Sequence, residues 1–184
     1  ARSVNPAITT RAIWVNSWYD PGKEREAALA LIAQGCDVLM QNTDSPAVVQ
    51  TAQEKGVLAF GWDSDMSKFG GKAQLAASIL HWGVIYKKTL DDVAAGTWKS
   101  GDIWWGVKEG AVNIDNFGPA VPAAVKKLAE ERRDGLKAGT LHPFTGPIKD
   151  QSGKLVLAAG KTYTDPELKQ MNFYVEGVEG AIPK

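Results

Sequence analysis

Residues 35–61 carry the strongest constraint on the fold. They read in order as Gly35, an apolar run at 37–41, a polar turn ending in Pro46, an amphipathic stretch to Lys55, then Gly56 and a second apolar run at 57–60 closed by Gly61. Each apolar run has the length of a buried parallel strand. Between them, Val48, Val49 and Ala52 fall on one face at helical spacing. Gly35 and Gly56 stand where a helix ends, since glycine takes the left-handed stop conformation without strain. Upstream, residues 11–16 are rich in β-branched and aromatic types and read as a strand. Asp20 and Pro21 then form a cap and first-turn pair for a helix whose face is Glu24, Ala27, Ala28, Leu31 and Ile32, apolar apart from its first, charged member. The order is β-α-β-α-β with short connections. Right-handed crossovers leave one arrangement: a parallel sheet with all three strand ends on one edge.

The remainder is less sharply punctuated. Residues 66–72 read as a glycine-bearing loop, and 73–80 as either a strand or a helical turn. Residues 84–95 read as a helix through Leu90 and Val93, and 103–107 as a short strand. A helix is expected over 119–137 with Val121, Val125, Leu128 and Leu136 inward. Beyond Gly139, residues 149–154 read as a hairpin turn, with strands at 154–157 and 172–175. The fold class is α/β, with a parallel sheet and helices on both faces.

Lys plus Arg equals Asp plus Glu at 21 each, so no net field draws the chain to nucleic acid or to an anionic membrane. Cys36 is the one cysteine, which excludes an internal disulfide; its place at a helix end reads as a quietly buried thiol. No run has the length of a transmembrane helix or the pattern of a signal peptide. The chain begins Ala-Arg-Ser, which reads as a processed product or a piece of something longer.

The three expected strand ends carry Ser17, Trp18, Tyr19 and Asp20; then Asn42, Thr43 and Asp44; then Trp62, Asp63 and Asp65. In open α/β sheets, ligands bind outside the carboxyl ends of the strands. Aromatic faces offer stacking there, and carboxylates accept hydrogen bonds from N–H or O–H groups. With no Lys, Arg or His expected at the same edge and no glycine-rich cradle, the set suits a neutral ring with several donors and suits phosphate badly. Other readings of the same residues stand beside this one. The Asp-x-Asp could be a helix cap or a solvated turn, Trp18 a core residue, and the paired acids glycosidase machinery or a divalent-ion site. His81 and His142 have no partner motif and read as structural. Seven tryptophans are more than a core of this size needs, which points to some of them on an interface or ligand surface.

Four segments together carry a family likeness: Asn16-Ser17-Trp18-Tyr19-Asp20-Pro21-Gly22-Lys23-Glu24, Gln34-Gly35-Cys36-Asp37-Val38, Phe60-Gly61-Trp62-Asp63-Ser64-Asp65-Met66, and Gly106-Val107-Lys108-Glu109-Gly110-Ala111-Val112. Their order resembles the basic membrane protein family, the substrate-binding proteins of bacterial ABC importers for purine nucleosides and related compounds. The likeness covers nearly the whole chain and matches the second half of such a protein. It implies the C-terminal, Rossmann-like lobe of a two-lobe type I periplasmic binding fold, with the first lobe preceding Ala1. By the same likeness Trp18 stacks on the purine, Ser17 belongs to its segment, Gly22 brings backbone near the sugar, and Asp63 binds ribose hydroxyls. Asp44 and Asp65 flank that site. Where the family often has a lysine near the ribose, this chain has Leu80, with His81 and Trp82 beside it; that departure leaves room for a free base or another ring compound.

The resemblance further implies a non-catalytic receptor without cofactor or metal. Its partners would be a small-molecule ligand and an ABC permease, not nucleic acid, and it would act in the periplasm or as a membrane-anchored lipoprotein outside the cytoplasm. It also implies that helix 84–95 packs on the missing lobe, so that the fragment alone exposes an apolar face open to dimerisation or domain swapping. Two rivals share the fold: a flavodoxin-like enzyme using Asp63 and Asp65 as acid and base, and the effector domain of a transcriptional repressor. Turnover would mark the first, and an upstream helix-turn-helix segment the second.

Overall fold

The computed structural model describes residues 1–183, which fall into two compact units: residues 17–141, and residues 1–16 with those from 142 onward. The segment read as the first strand belongs to the second of these. Only Thr10–Arg11 (β1) forms a strand, and it runs parallel to Val178–Glu179. The N–H groups of Thr10 and Ala12 donate to the carbonyls of Gly177 and Glu179. Residues 12–16 lie outside any strand, and Asn16 turns into the left-handed region at φ 51°. The expectation of a long first strand in the parallel sheet is therefore corrected. β-branched content makes a segment able to extend, but pairing is set by which neighbour offers a matching register.

Residues 17–141 build the larger unit. Pro21–Ala33 (α1) begins where the Asp-Pro pair places it: the Asp20 carboxylate accepts from the Lys23 N–H at 3.1 Å, and Pro21 fills the first turn, where no donor is lost. Val38–Met40 (β2) and Ala47–Lys55 (α2) follow, and Gly56 ends α2 in the left-handed conformation. Leu58–Asp63 (β3) is longer than the run at 57–60, and Gly61, read as a break, lies inside it. Its missing Cβ is a packing requirement, because one built there would stand 3.1 Å from Ala77 Cβ and 3.3 Å from Met66 Cβ. Ser67–Gly70 (α3) is one turn within the loop that follows. Gln74–Leu80 (β4) resolves as a strand parallel to β3, and Trp82–Ala94 (α4) agrees with the expected helix.

Residues 103–107 are not a strand. Ile103 and Trp104 are exposed, and the Gly106 carbonyl accepts from the N–H groups of Ala111 and Val112, closing a turn. The strand comes after that turn, at Val112–Asp115 (β5), antiparallel to β4. Ala123–Ala138 (α5) ends at Gly139 in the left-handed region. Val125 and Leu128, expected inward, are exposed. They share a helical period with Ala129, Arg132 and Leu136, but lie in the N-terminal half of α5, whereas the residues that line the groove against the sheet are Ala129, Arg132, Arg133 and Leu136.

The sheet order is β2-β3-β4-β5, with the first three strands parallel. Its two faces are built differently. On one, Leu39, Ala59, Gly61 and Ala77 are small or fully buried, and Ala28 of α1 and Val48, Val49 and Ala52 of α2 belong to the same core. Each Val or Leu buried there contributes roughly 1.5–3 kcal/mol. The other face carries Met40, Phe60, Trp62 and Ile114, and between it and α5 runs an apolar groove of about 760 Å³. Met40, on the sheet edge, is 75% exposed.

In the smaller unit, Ile148–Lys149 (β6) and Leu155–Leu157 (β7) form the expected hairpin, whose turn is held by the Asp150 carboxylate accepting from the N–H groups of Ser152 and Lys154. Asp165–Lys169 (α6) starts with a Thr164–Glu167 capping box, and Val178–Glu179 (β8) is the last element among the described residues. The strand expected at 172–175 reduces to a single bridge between Asp150 and Val175.

The charged member of the α1 face is not a solvated exception. Glu24 is 1% exposed, and its carboxyl group accepts from Ser45 Oγ at 2.6 Å, Thr43 Oγ1 at 2.8 Å and the Asp20 N–H at 3.0 Å. Glu24→Ala would leave the buried Ser45 hydroxyl and two half-buried donors, Thr43 Oγ1 and the Asp20 N–H, without their acceptor, at a cost of about 2–3 kcal/mol. Chemical denaturation should register this as a lower midpoint at unchanged slope, with a smaller loss for Glu24→Gln.

Candidate functional site

The parallel strands β2, β3 and β4 deliver their carboxyl ends to one edge of the larger unit, and every residue expected to bind ligand lies in that unit. Trp18, in the segment leading to α1, is 69% exposed, so the reading of it as a core residue is set aside. Its carbonyl accepts from the Asp44 N–H at 2.8 Å. That bond ties the segment bearing Ser17 and Trp18 to the loop after β2. Gly22 is exposed in the first turn of α1, and a Cβ there would meet nothing closer than the Asp20 carboxylate at 3.5 Å. The lobe itself does not demand glycine at this place, although a helix interior disfavours it.

Asp63 closes β3 in the left-handed region, at φ 64°. The Ser64 N–H turns back to the Trp62 carbonyl at 2.7 Å, so the chain reverses sharply there. Holding a non-glycine residue in this region costs roughly 1 kcal/mol, and such strain gathers at functional sites. The side chain is half-buried, and among the described residues no hydrogen bond or ion pair engages its carboxylate. Asp65 differs. Its Oδ1 accepts from the Ser67 N–H at 2.9 Å and from Gln74 Nε2 at 3.4 Å, which makes it the brace of α3. Of the Asp-x-Asp pair, the second acid is a turn cap and the first is free.

Trp82 opens α4, half exposed, with its ring stacked on Tyr86 at 6.2 Å between centroids and 22° between planes. The edge is not without basic side chains, as the strand-end residues alone suggested. Lys23 Nζ lies 3.3 Å from Asp20, and His81 follows β4, with Nε2 at 3.3 Å from Asp115 Oδ2. Sequence reasoning missed that pair because it placed the strand at 103–107. The signal was the alternation Val112-Asn113-Ile114-Asp115, apolar then polar. The apolar groove under α5 touches this edge only through Asn42 and Trp62, and contains none of the acids.

The α/β arrangement of this lobe is one that solved structures share. A transcriptional activator of the comK gene from Bacillus halodurans matches with a TM-score of 0.65 at 23% identity, over 71% of this chain and 47% of that one. A solute-binding protein of an ABC transporter system from Conexibacter woesei matches with a TM-score of 0.60 at 20% identity, over 77% and 48%. At such identities the likeness is one of fold. The sequence goes further: residues 1–138 match the Bmp family, described as ABC transporter substrate-binding protein PnrA-like, and the chain belongs to that family. It is 51% identical over its whole length to a protein of Brucella abortus (strain 2308) named purine-binding protein, covering 52% of that relative. It is 36% identical to a protein of Haloferax volcanii named as an ABC transporter glucose-binding protein, covering 44% of it. The chain thus spans about half the length of these relatives.

The capping bonds carry a pH signature. The Ser67 N–H holds the Asp65 carboxyl below its usual range, and the Lys23 N–H does the same for Asp20. A carboxyl depressed in the folded state stabilises fully above its unfolded value, near 3.8, and that stabilisation is lost as pH falls through the lower folded value. Denaturation midpoints should therefore drop as pH is taken below about 4, and Asp65→Asn and Asp20→Asn should each flatten that drop relative to wild type.

Proposed function

We propose that this chain is the C-terminal ligand-binding lobe of a substrate-binding component of an ABC importer, closing with a second lobe on a purine nucleoside, a purine base or a similar small ring compound. The observation that carries the reading is the free Asp63 carboxylate at a strained turn on the carboxyl edge of β3, with exposed aromatic rings in the neighbouring loops. Acceptors without a phosphate cradle select donor-rich, uncharged ligands. The purine in the name of the 51% identical relative supports the ring, and the glucose in the name of the other keeps a sugar as the alternative to be tested. Ser17, Trp18, Gly22 and Asp44 line the α1 side of the site, Asp63 its centre, and Trp82 the α4 side, with Asp65 bracing the turn. Closure of two lobes around a ligand is a hinge motion of known kind.

Two further parts of the reading rest on the same residues. An acid–base pair is disfavoured, because Asp65 is spent on capping and its carboxyl is depressed, the wrong direction for a general acid near neutrality. The receptor would deliver its ligand, unchanged, to a permease from outside the cytoplasm. Among the described residues no helix is long and apolar enough to cross a membrane. Trp82, Tyr86, Leu90 and Val93 form an exposed stripe along α4, which supports the placing of the other lobe against this helix. With that lobe absent, the stripe would make the fragment prone to pair with a second copy.

In the full-length polypeptide, Trp18→Ala removes a stacking surface worth about 1–3 kcal/mol, and Asp63→Ala a charge-assisted bond of roughly 1.5–3 kcal/mol. Each should weaken binding by about ten- to a hundredfold. Asp63→Gly, which relieves the φ strain while deleting the carboxylate, should lose the same affinity without losing stability. Calorimetry against adenine, adenosine and glucose is the measurement; wild-type affinity in both alanine variants would place the ligand elsewhere.

A further inference from the structure

His81 is the N-cap residue of α4, yet its imidazole makes no capping bond. It reaches instead to β5, where Nε2 lies 3.3 Å from Asp115 Oδ2, while Asp115 Oδ1 accepts from Asn113 Nδ2 at 3.2 Å. A carboxylate only accepts, so the imidazole nitrogen facing it carries the proton. With Nε2 as donor, the uncharged form of the ring presents Nδ1 as an acceptor, and among the described residues nothing donates to it. The side chain is 41% exposed, so Nδ1 is open to an incoming donor.

Strand register places this acceptor beside the site. Asp63 pairs with Ile79, and Ile79 with Asn113, on three neighbouring strands. His81 lies two residues past Ile79, where the chain leaves β4 for α4. Sheet spacings set its backbone roughly 8 Å from that of Asp63, within the span of one planar bicyclic ring and the flanking side chains. Trp82, next in sequence, adds an exposed aromatic face.

We infer that His81, oriented by Asp115, contacts the ligand and accepts a hydrogen bond from a ring N–H of a heteroaromatic base, so that the site favours a free base over one substituted at that nitrogen. This deepens the proposed function and rests on it. A free purine carries such an N–H on its five-membered ring, whereas a nucleoside has its sugar there. Asp115 acts as a positioning residue, fixing the tautomer without touching ligand.

Calorimetry on the full-length polypeptide tests this with adenine and 9-methyladenine as probes. Wild type should bind adenine at least about tenfold more tightly. His81→Phe should lower adenine affinity by about tenfold and leave 9-methyladenine nearly unchanged, erasing the preference. His81→Gln, which keeps an acceptor oxygen, should restore part of it and carries the test if the phenylalanine variant fails to fold. Asp115→Asn should reduce the preference with little effect on 9-methyladenine. Equal losses for both probes, or none for adenine, would overturn the role of His81. Wild type binding neither probe would instead overturn the purine reading beneath it.

Discussion

The buried carboxyl of Glu24 is the contact on which the geometry of the larger unit turns. An acidic group inside a core is tolerated only when its oxygens are met by donors. Here they come from three places: the backbone at the head of α1, Thr43, and Ser45 just ahead of α2. These are the points where the chain leaves the carboxyl edge of the sheet and enters its two packed helices. Ser45 Oγ also accepts from the Ala47 N–H, so one hydroxyl serves the carboxyl and the start of α2 at once. A residue on the buried face of α1 thereby fixes the loops that expose Trp18 and Asp44. The Asp44–Trp18 backbone bond repeats the same tie nearer the surface. Partly satisfied, such a network would cost more than an apolar replacement; with all three donors present it gives a single arrangement of the loops.

The two faces of the sheet solve different problems. Under α1 and α2 the sheet residues are alanine and glycine apart from Leu39, and small side chains let neighbours approach closely, which is why Gly61 sits inside a strand. The opposite face is bulky, with Met40, Phe60 and Trp62, and α5 meets it with Ala129, Leu136 and two arginines. Long arginine stems cover apolar surface while their heads remain wet. That cover is thinner than a helix with leucines would give, and the groove beneath α5 is the result. Asp63 ends β3 and His81 follows β4, so the candidate site stands at the ends of the two central strands of the sheet.

How much of this could be read from the chain depended on whether the signal was local. α1, β2, α2 and β3 were legible because caps, prolines and stopping glycines act within a few residues: Asp20 with Pro21, Gly35, Gly56. The acid at the end of β3 was legible for the same reason. What failed was decided at a distance. Residues 11–16 and 103–107 have strand composition, but composition does not choose a partner, and β1 pairs instead with β8. Val125 and Leu128 have the right period, yet periodicity says nothing of how far the sheet extends beneath a helix. His81 read as structural because Asp115 is thirty-four residues away and reaches it only through the antiparallel return of β5.

The electrostatics of the edge follow from its topology. Each parallel strand runs into a loop that must cap the next helix, and capping favours acids, because helix N-termini attract negative charge. Asp20 and Asp65 are consumed in that way, and each has its carboxyl depressed by the backbone donor it holds. Asp63 makes no such bond, since the left-handed turn after β3 carries it off the line of α3. A fold that needs acids at this edge for its own stability thus presents more than it uses, Asp63 at the strand end and the exposed Asp44 beside it. The surplus acceptors are what a donor-bearing ligand can satisfy. Because net charge is zero and the acids are locally concentrated, discrimination under the proposed function would come from short-range geometry: which donors a ring places opposite Asp63 on one strand and the imidazole of His81 past the end of the next.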